Sequence, residues 1–171
     1  DMASAGHRYA VVEASSHGLS AKTARLRDVS FDVAVLTNVS HEHLDFHGTM
    51  EQYRSDKANL FRALGAAPDR PTAPFGVVNL DDGSAAYFRE ACRAPVLGYG
   101  IDRPDADLTA RIVEETSTHT DVALASARER GEVRARLNTP GPFNVPNLPA
   151  AALAASRLTG AGVRWVAALA G

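Results

Sequence analysis

The sequence has almost no cysteine or lysine and little excess charge. Cys92 is the only cysteine among 171 residues, so no disulfide can form within the chain and we expect a reducing compartment. The net charge of −2 offers no basic surface for nucleic acid or for an anionic membrane. No apolar run is long enough to span a bilayer, and no signal-peptide pattern is present.

The length and the 45% hydrophobic content are those of one globular domain with its own core, covering residues 1–171. Residues 1–6 have the pattern of a helix end stopped by glycine, and residues 167–171 that of a last helical turn. We therefore expect the chain to be a segment of a longer protein.

Apolar runs alternate with helical patterns through residues 1–104, which predicts an α/β fold with a mainly parallel sheet and flanking helices. The predicted strands of this part are 7–15, 31–36, 75–79 and 95–99, and its longer helices are 50–64 and 81–93. Residues 105–138 alternate with period two and predict a small antiparallel meander, with strands 107–115, 118–127 and 132–137. Residues 139–171 predict two alanine-rich helices of the same domain, 145–158 and 163–169.

Polar side chains with metal-binding chemistry follow two of the predicted parallel strands. Glu13 ends the first strand, and residues 38–47 follow the second. Ligands of open α/β sheets bind at the carboxyl ends of the strands, so both groups should face one crevice. Carboxylate and imidazole suit a divalent cation that Glu13 and His43 could share. For any single histidine here, a capping or surface position is the alternative.

Lys57 lies on the apolar face of the predicted helix 50–64, together with Tyr53, Leu60 and Phe61. Burial of a lysine favours its uncharged amine, which is a nucleophile and can react with carbon dioxide. The carbamate so formed is an anionic oxygen ligand for a metal. The alternative is a lysine whose stem follows the apolar stripe while its ammonium reaches water.

Four motifs in one order resemble the central domain of the Mur ligases, and most closely the MurE type, the UDP-N-acetylmuramoyl-L-alanyl-D-glutamate ligases. The motifs are residues 13–19 (Glu-Ala-Ser-Ser-His-Gly-Leu), residues 37–48 (Thr-Asn-Val-Ser-His-Glu-His-Leu-Asp-Phe-His-Gly), residues 53–61 and the Gly-x-x-Asn-x-x-Asn of residues 141–147. The resemblance implies a P-loop-type ATP-binding fold that lacks its first strand and its P-loop.

The same resemblance implies a cytoplasmic, ATP-dependent enzyme of peptidoglycan synthesis that joins an amino acid to a UDP-MurNAc-dipeptide through an acyl phosphate. It implies two Mg²⁺ ions as cofactors. Glu13 would bind the one shared with the ATP phosphates, and His43 with a carbamylated Lys57 would bind the second.

Substrate contacts are implied in the same way. Ser15 would hydrogen-bond the UDP-sugar, and Arg25 is the candidate for an arginine that contacts the same substrate. Asn147, with Asn144, would contact adenine. The chain departs from the family pattern at His41-Glu42, where an Arg-Asp pair is common, and it contains no Gly-x-x-x-x-Gly-Lys-[Ser/Thr] loop. We therefore expect the chain alone to be inactive.

Three alternatives remain open. The first is a zinc-dependent hydrolase that uses His41, His43, Asp45 and His47, although their spacing differs by one residue from the hydrolase pattern. The second is a non-catalytic nucleotide-binding module of the same fold. The third is another amide ligase of the superfamily, such as a sister Mur enzyme or folylpolyglutamate synthetase.

Overall fold

A computed structural model describes residues 4–40, 44–65 and 72–163. Five α-helices and six strands lie within these ranges. The helices are α1 (Ser16–Leu19), α2 (Leu44–His47), α3 (Met50–Arg62), α4 (Ala85–Ala91) and α5 (Asn147–Thr159). The strands are β1 (Val33–Leu36), β2 (Phe75–Asn79), β3 (Val96–Ile101), β4 (Leu108–Glu115), β5 (Thr120–Ser126) and β6 (Glu132–Leu137). None of these helices combines the length and the apolar character needed to cross a membrane.

The strands form one sheet in the order β1-β2-β3-β4-β5-β6. Strands β1 to β4 run parallel, and β4, β5 and β6 form the antiparallel meander. Tyr99 of β3 stands opposite Leu108 of β4, so the meander continues the parallel sheet at its edge. The predicted α/β class with a mainly parallel sheet is confirmed. The division at residues 104 and 138 stays a prediction.

Strand β2 is buried on both faces, as a parallel strand with helices on each side requires. Val77 of β2 belongs to a core cluster that packs under α5, whereas its neighbour Val78 belongs to a cluster that packs under α3 and α4. Every residue of β2 is buried, which explains why its sequence is a continuous run with little polarity.

Gly76 permits the closest contact between the sheet and α3. A Cβ atom at this position would lie 3.1 Å from the ring of Phe61, so the absence of a side chain lets that ring rest directly on β2. Phe61 is 1% exposed and meets Phe88 of α4 edge-to-face, with ring centroids 5.2 Å apart. The two helices and the strand therefore share one aromatic contact.

Helix α3 begins as the sequence predicts. The Thr49 side chain accepts a hydrogen bond from the Gln52 backbone N–H at 3.1 Å, which caps the first turn. The predicted helix 81–93 is shorter in the structure, because Asp82 bonds the backbone N–H of Ser84 and Val39 instead of continuing the helix. Of the predicted helix 163–169, all but Val163 lies outside the described residues.

The predicted first strand, residues 7–15, is wrong in this structure. Residues 7–13 are exposed, with Val11 fully exposed, and they lie in no strand. A strand exists only through its hydrogen bonds to a neighbour, and β1 is the edge strand of the described sheet. An apolar run alone therefore did not determine this element, and Glu13 lies in a segment without regular secondary structure before α1 rather than at a strand end.

Tyr99 joins the sheet core to the end of β1. It is fully buried, and its hydroxyl donates to the Leu36 carbonyl oxygen at 3.1 Å. Burial raises the pKa of Tyr99 well above its ordinary value, so the hydroxyl keeps its proton. We expect Tyr99→Phe to lower the free energy of unfolding by about 1–2 kcal/mol, because the buried carbonyl loses its partner. Urea denaturation measures this, with the exposed Tyr9→Phe as control. Equal stability of the two variants would contradict it.

Candidate active site

Lys57 lies at the carboxyl end of the parallel sheet. Its Nζ donates to the Asn38 carbonyl oxygen at 3.2 Å and lies 5.2 Å from the centre of the Tyr53 ring. The side chain is half-buried rather than enclosed, so it follows the apolar stripe of α3 as far as the segment after β1. The amine of Lys57 therefore lies beside the segment that follows β1.

The segment that holds Lys57's acceptor is itself fixed by the end of β2. The Asn79 side-chain amide donates to the Thr37 carbonyl oxygen at 2.9 Å. The Asp82 carboxylate accepts from the Val39 backbone N–H at 2.6 Å. Sequence reasoning did not assign these two residues, although polar residues at the end of the predicted strand 75–79 are a signal for such a role.

A second charged group lies where β3 ends. The Arg103 guanidinium makes two hydrogen bonds to Asp105, at 2.9 and 2.8 Å, and lies 3.6 Å from Asp81. Its Nη1 also donates to the Leu80 carbonyl oxygen. The bonds from Arg103 lower the pKa of Asp105 to about 2, so this carboxylate stays charged at neutral pH. These residues were also missed from the sequence.

Glu13, Ser15 and Arg25 lie around α1. Glu13 and Arg25 are exposed, and the Ser15 side chain caps α1 by accepting from the Gly18 backbone N–H at 3.2 Å. The Asn59 side chain of α3 donates to the carbonyl oxygen of Leu19, the last residue of α1, at 3.0 Å.

The histidine-rich stretch is described only from Leu44 onward, so His41 and His43 lie outside the described residues. His47 is buried, and both of its ring nitrogens have partners. Nδ1 lies 2.8 Å from Asp56 Oδ2 and Nε2 lies 3.0 Å from Ser16 Oγ. Gln52 donates to the other oxygen of Asp56 at 3.0 Å. We call Ser16, His47, Gln52 and Asp56 the His47 network.

The His47 network counts against the zinc hydrolase alternative, because a histidine with both nitrogens engaged has none left for a metal. Within residues 4–40, 44–65 and 72–163, no group of three or more His, Cys, Asp or Glu side chains is arranged to hold a metal ion. The sequence signal for the network is Asp56, a charged residue that shares the buried face of α3 with Tyr53 and Leu60.

Asn144 and Asn147 lie where the chain turns into α5. Asn144 sits in a short 3-10 helix and its Nδ2 donates to the Pro140 carbonyl oxygen at 3.1 Å. Asn147 is the first residue of α5 and is exposed. Phe143, which directly precedes Asn144, is 77% exposed. The two asparagines therefore lie close in the chain with polar atoms available to a ligand.

Comparison with known proteins identifies the family of the chain. The family model of the Mur ligase middle domain matches residues 1–155. The chain is 48% identical over 166 residues to the UDP-N-acetylmuramyl-tripeptide synthetase of Treponema denticola, covering 93% of the chain and 31% of that protein. It is 43% identical over 155 residues to the UDP-N-acetylmuramoyl-L-alanyl-D-glutamate–2,6-diaminopimelate ligase of Halalkalibacterium halodurans, covering 91% and 30%.

A solved structure of a UDP-N-acetylmuramoyl-L-alanyl-D-glutamate–2,6-diaminopimelate ligase has the same fold, with a TM-score of 0.82 at 29% identity. The match covers 98% of this chain and 33% of that protein. The chain thus spans about a third of the length of the relatives it matches. Both the sequence and the fold identify it as a member of the Mur ligase family that corresponds to the middle domain of the MurE-type enzymes.

Proposed function

We propose that this chain forms the central part of a cytoplasmic, ATP-dependent ligase of peptidoglycan synthesis. The enzyme would add an amino acid to UDP-N-acetylmuramoyl-L-alanyl-D-glutamate. The observation that carries the proposal is the position of Lys57, whose amine reaches the Asn38 carbonyl oxygen where β1 ends, in a chain that matches this family. The two relatives described above are named for tripeptide synthesis and for diaminopimelate ligation.

The proposed reaction has two steps. The substrate carboxylate attacks the γ-phosphorus of ATP, which forms an acyl phosphate and releases ADP. The amine of the incoming amino acid then attacks the acyl carbon, forming the amide and releasing phosphate and a proton. Phosphoryl transfer of this kind depends on positioning and on neutralising the negative charge of the phosphates.

Two magnesium ions would supply that neutralisation, and the side chains present suit them. Glu13 is exposed, so its carboxylate is accessible to one ion. Lys57 as a neutral amine can add carbon dioxide with loss of a proton, and its carbamate would bind the other ion together with His43. The carbamate keeps one N–H, so the bond to Asn38 can persist while two oxygens become available, the donor atoms that magnesium prefers.

The remaining roles belong to Ser15, Arg25, Asn144 and Asn147. The Ser15 oxygen accepts from the Gly18 N–H, which leaves its own hydrogen to donate to the UDP-sugar. The exposed guanidinium of Arg25 can pair with an anionic group of the same substrate. Asn144 uses its amide nitrogen within the chain, so its oxygen is the atom left to accept from adenine, and Asn147 is exposed beside it.

The test is a ligation assay on the full-length protein that contains this chain, since the chain has no P-loop sequence and covers 30–31% of its relatives. ATP and UDP-MurNAc-L-Ala-D-Glu are supplied with either lysine or meso-diaminopimelate. We expect phosphate release that requires both the dipeptide substrate and one amino acid, with a product of the corresponding added mass.

Omitting the dipeptide substrate is the control. An equal rate of phosphate release with and without the dipeptide substrate would contradict the ligase assignment. Binding of ATP with no phosphate release under any combination would instead identify a nucleotide-binding module, the alternative that shares this fold.

A further inference from the structure

The His47 network joins three elements of the candidate site through one buried side chain. Ser16 belongs to α1, His47 to α2, and Asp56 to α3. Each of the three is 3–4% exposed. We propose that His47 is a positioning residue of the ligase: its imidazole holds α1, α2 and α3 in the one arrangement that brings their metal-binding and substrate-binding groups together. This inference rests on the proposed function.

The chemistry of the partners determines which atom donates and which accepts in each hydrogen bond of the network. The Asp56 carboxylate can only accept, so His47 Nδ1–H and the Gln52 amide both donate to it. In the neutral imidazole, Nε2 then accepts from the Ser16 hydroxyl. Both ring nitrogens of the histidine and both oxygens of the carboxylate are engaged, so a rotation of the ring breaks two bonds at once.

The residue types Ser, His and Asp also occur in nucleophilic triads, but burial excludes that role here. A nucleophile must meet its substrate, and Ser16 is 3% exposed beneath the surface that Ser15 occupies. The network therefore acts on the reaction through the residues beside it.

Those neighbours are the groups assigned to the reaction. Ser16 directly follows Ser15, and Asp56 directly precedes Lys57. His47 follows His43 by four residues along the same stretch. The ring of His47 also lies 5.1 Å from that of Tyr53, the ring over which the Lys57 ammonium sits. A displaced imidazole would thus shift the support of Lys57 as well as the α1 cap.

Removing such support should affect turnover more than binding, because a misplacement of about 1 Å can cost about 10²-fold in rate. We expect His47→Ala in the full-length protein to lower kcat by about 10²-fold while KM for ATP changes little. Ser16→Ala removes one bond of the network and should lower kcat by roughly tenfold. Both are measured with the phosphate-release assay described above.

Two further variants separate positioning from simple loss of stability. Asp56→Asn can keep every bond, because the new amide donates to Nδ1 while Nε2–H donates to Ser16. It should retain kcat within about threefold. Asn59→Ala breaks the side-chain bond from α3 to Leu19, at the end of α1 that is distant from Ser15, and lies outside the network. It should lower the melting temperature yet keep kcat.

A kcat for His47→Ala equal to that of Asn59→Ala would overturn the inference. A wild-type protein without ligase activity would overturn the proposed function instead, and amide hydrogen exchange then tests the positioning alone. Faster exchange at residues 13–20 and 37–40 in His47→Ala than in Asn59→Ala supports it, and equal exchange overturns it.

Discussion

Replacing Lys57 with alanine is expected to lower ligase turnover by about 10²–10³-fold, the range observed when one charge-stabilising group is removed from an active site. The loss follows from the proposed carbamate, which supplies a metal with anionic oxygens that alanine cannot provide. Phosphate release by the full-length protein measures it. Added acetate should restore part of the activity, because a short carboxylate can occupy the space left by the carbamate.

Lys22, the only other lysine, is a matched control. Its Nζ also donates to a backbone carbonyl, that of Phe46 at 2.7 Å, and also lies over an aromatic ring, at 4.9 Å from its centre. Lys22→Ala removes the same kinds of contact and should keep turnover within a few-fold. Lys57→Arg keeps a positive charge but cannot form the carbamate, so wild-type activity in that variant would contradict the carbamate.

Phe61→Ala is expected to lower the free energy of unfolding by about 3–5 kcal/mol, the largest stability effect of the changes considered. Phe61 is 1% exposed, rests on the backbone of β2 at Gly76 and packs edge-to-face on Phe88. Alanine at residue 61 leaves a cavity, and Gly76 on the facing strand has no side chain that could move into it. Urea denaturation monitored by circular dichroism measures the change.

Phe143→Ala is the control of identical chemistry. Phe143 is 77% exposed, so the same truncation should change the free energy of unfolding by less than about 0.5 kcal/mol. If Phe61→Ala lowered the free energy of unfolding no more than Phe143→Ala does, the contact of Phe61 with β2 would contribute little to stability.

The best-predicted elements are those that are marked by the pattern of their own residues. Strand β2 was predicted with its observed bounds, because residues 75–79 form an apolar run buried on both faces. The three meander strands were predicted within two residues, because period-two alternation marks strands with one covered face. Residues 7–15 failed for the opposite reason: a strand there needs a partner edge, and composition carries no information about one.

The residues of the candidate site stay predictions, and the sequence signals for them differ in kind. Lys57 was identified because a lysine on an apolar helix face is unusual, and the structure places it at the end of β1. The interior role of His47 was not predicted, since its neighbours in sequence gave it the pattern of a metal ligand. Its partners Ser16 and Asp56 are 31 and 9 residues away, and only the packing of α1 and α3 brings them together.

The contact between Gly76 and Phe61 also predicts that residues 76 and 61 covary among related sequences. Since a Cβ at residue 76 would approach the Phe61 ring to 3.1 Å, an alanine there is accommodated best when residue 61 is smaller. Relatives should therefore vary at these two positions jointly, with a larger strand residue accompanied by a smaller helix residue. Selection would act on the pair rather than on either residue alone.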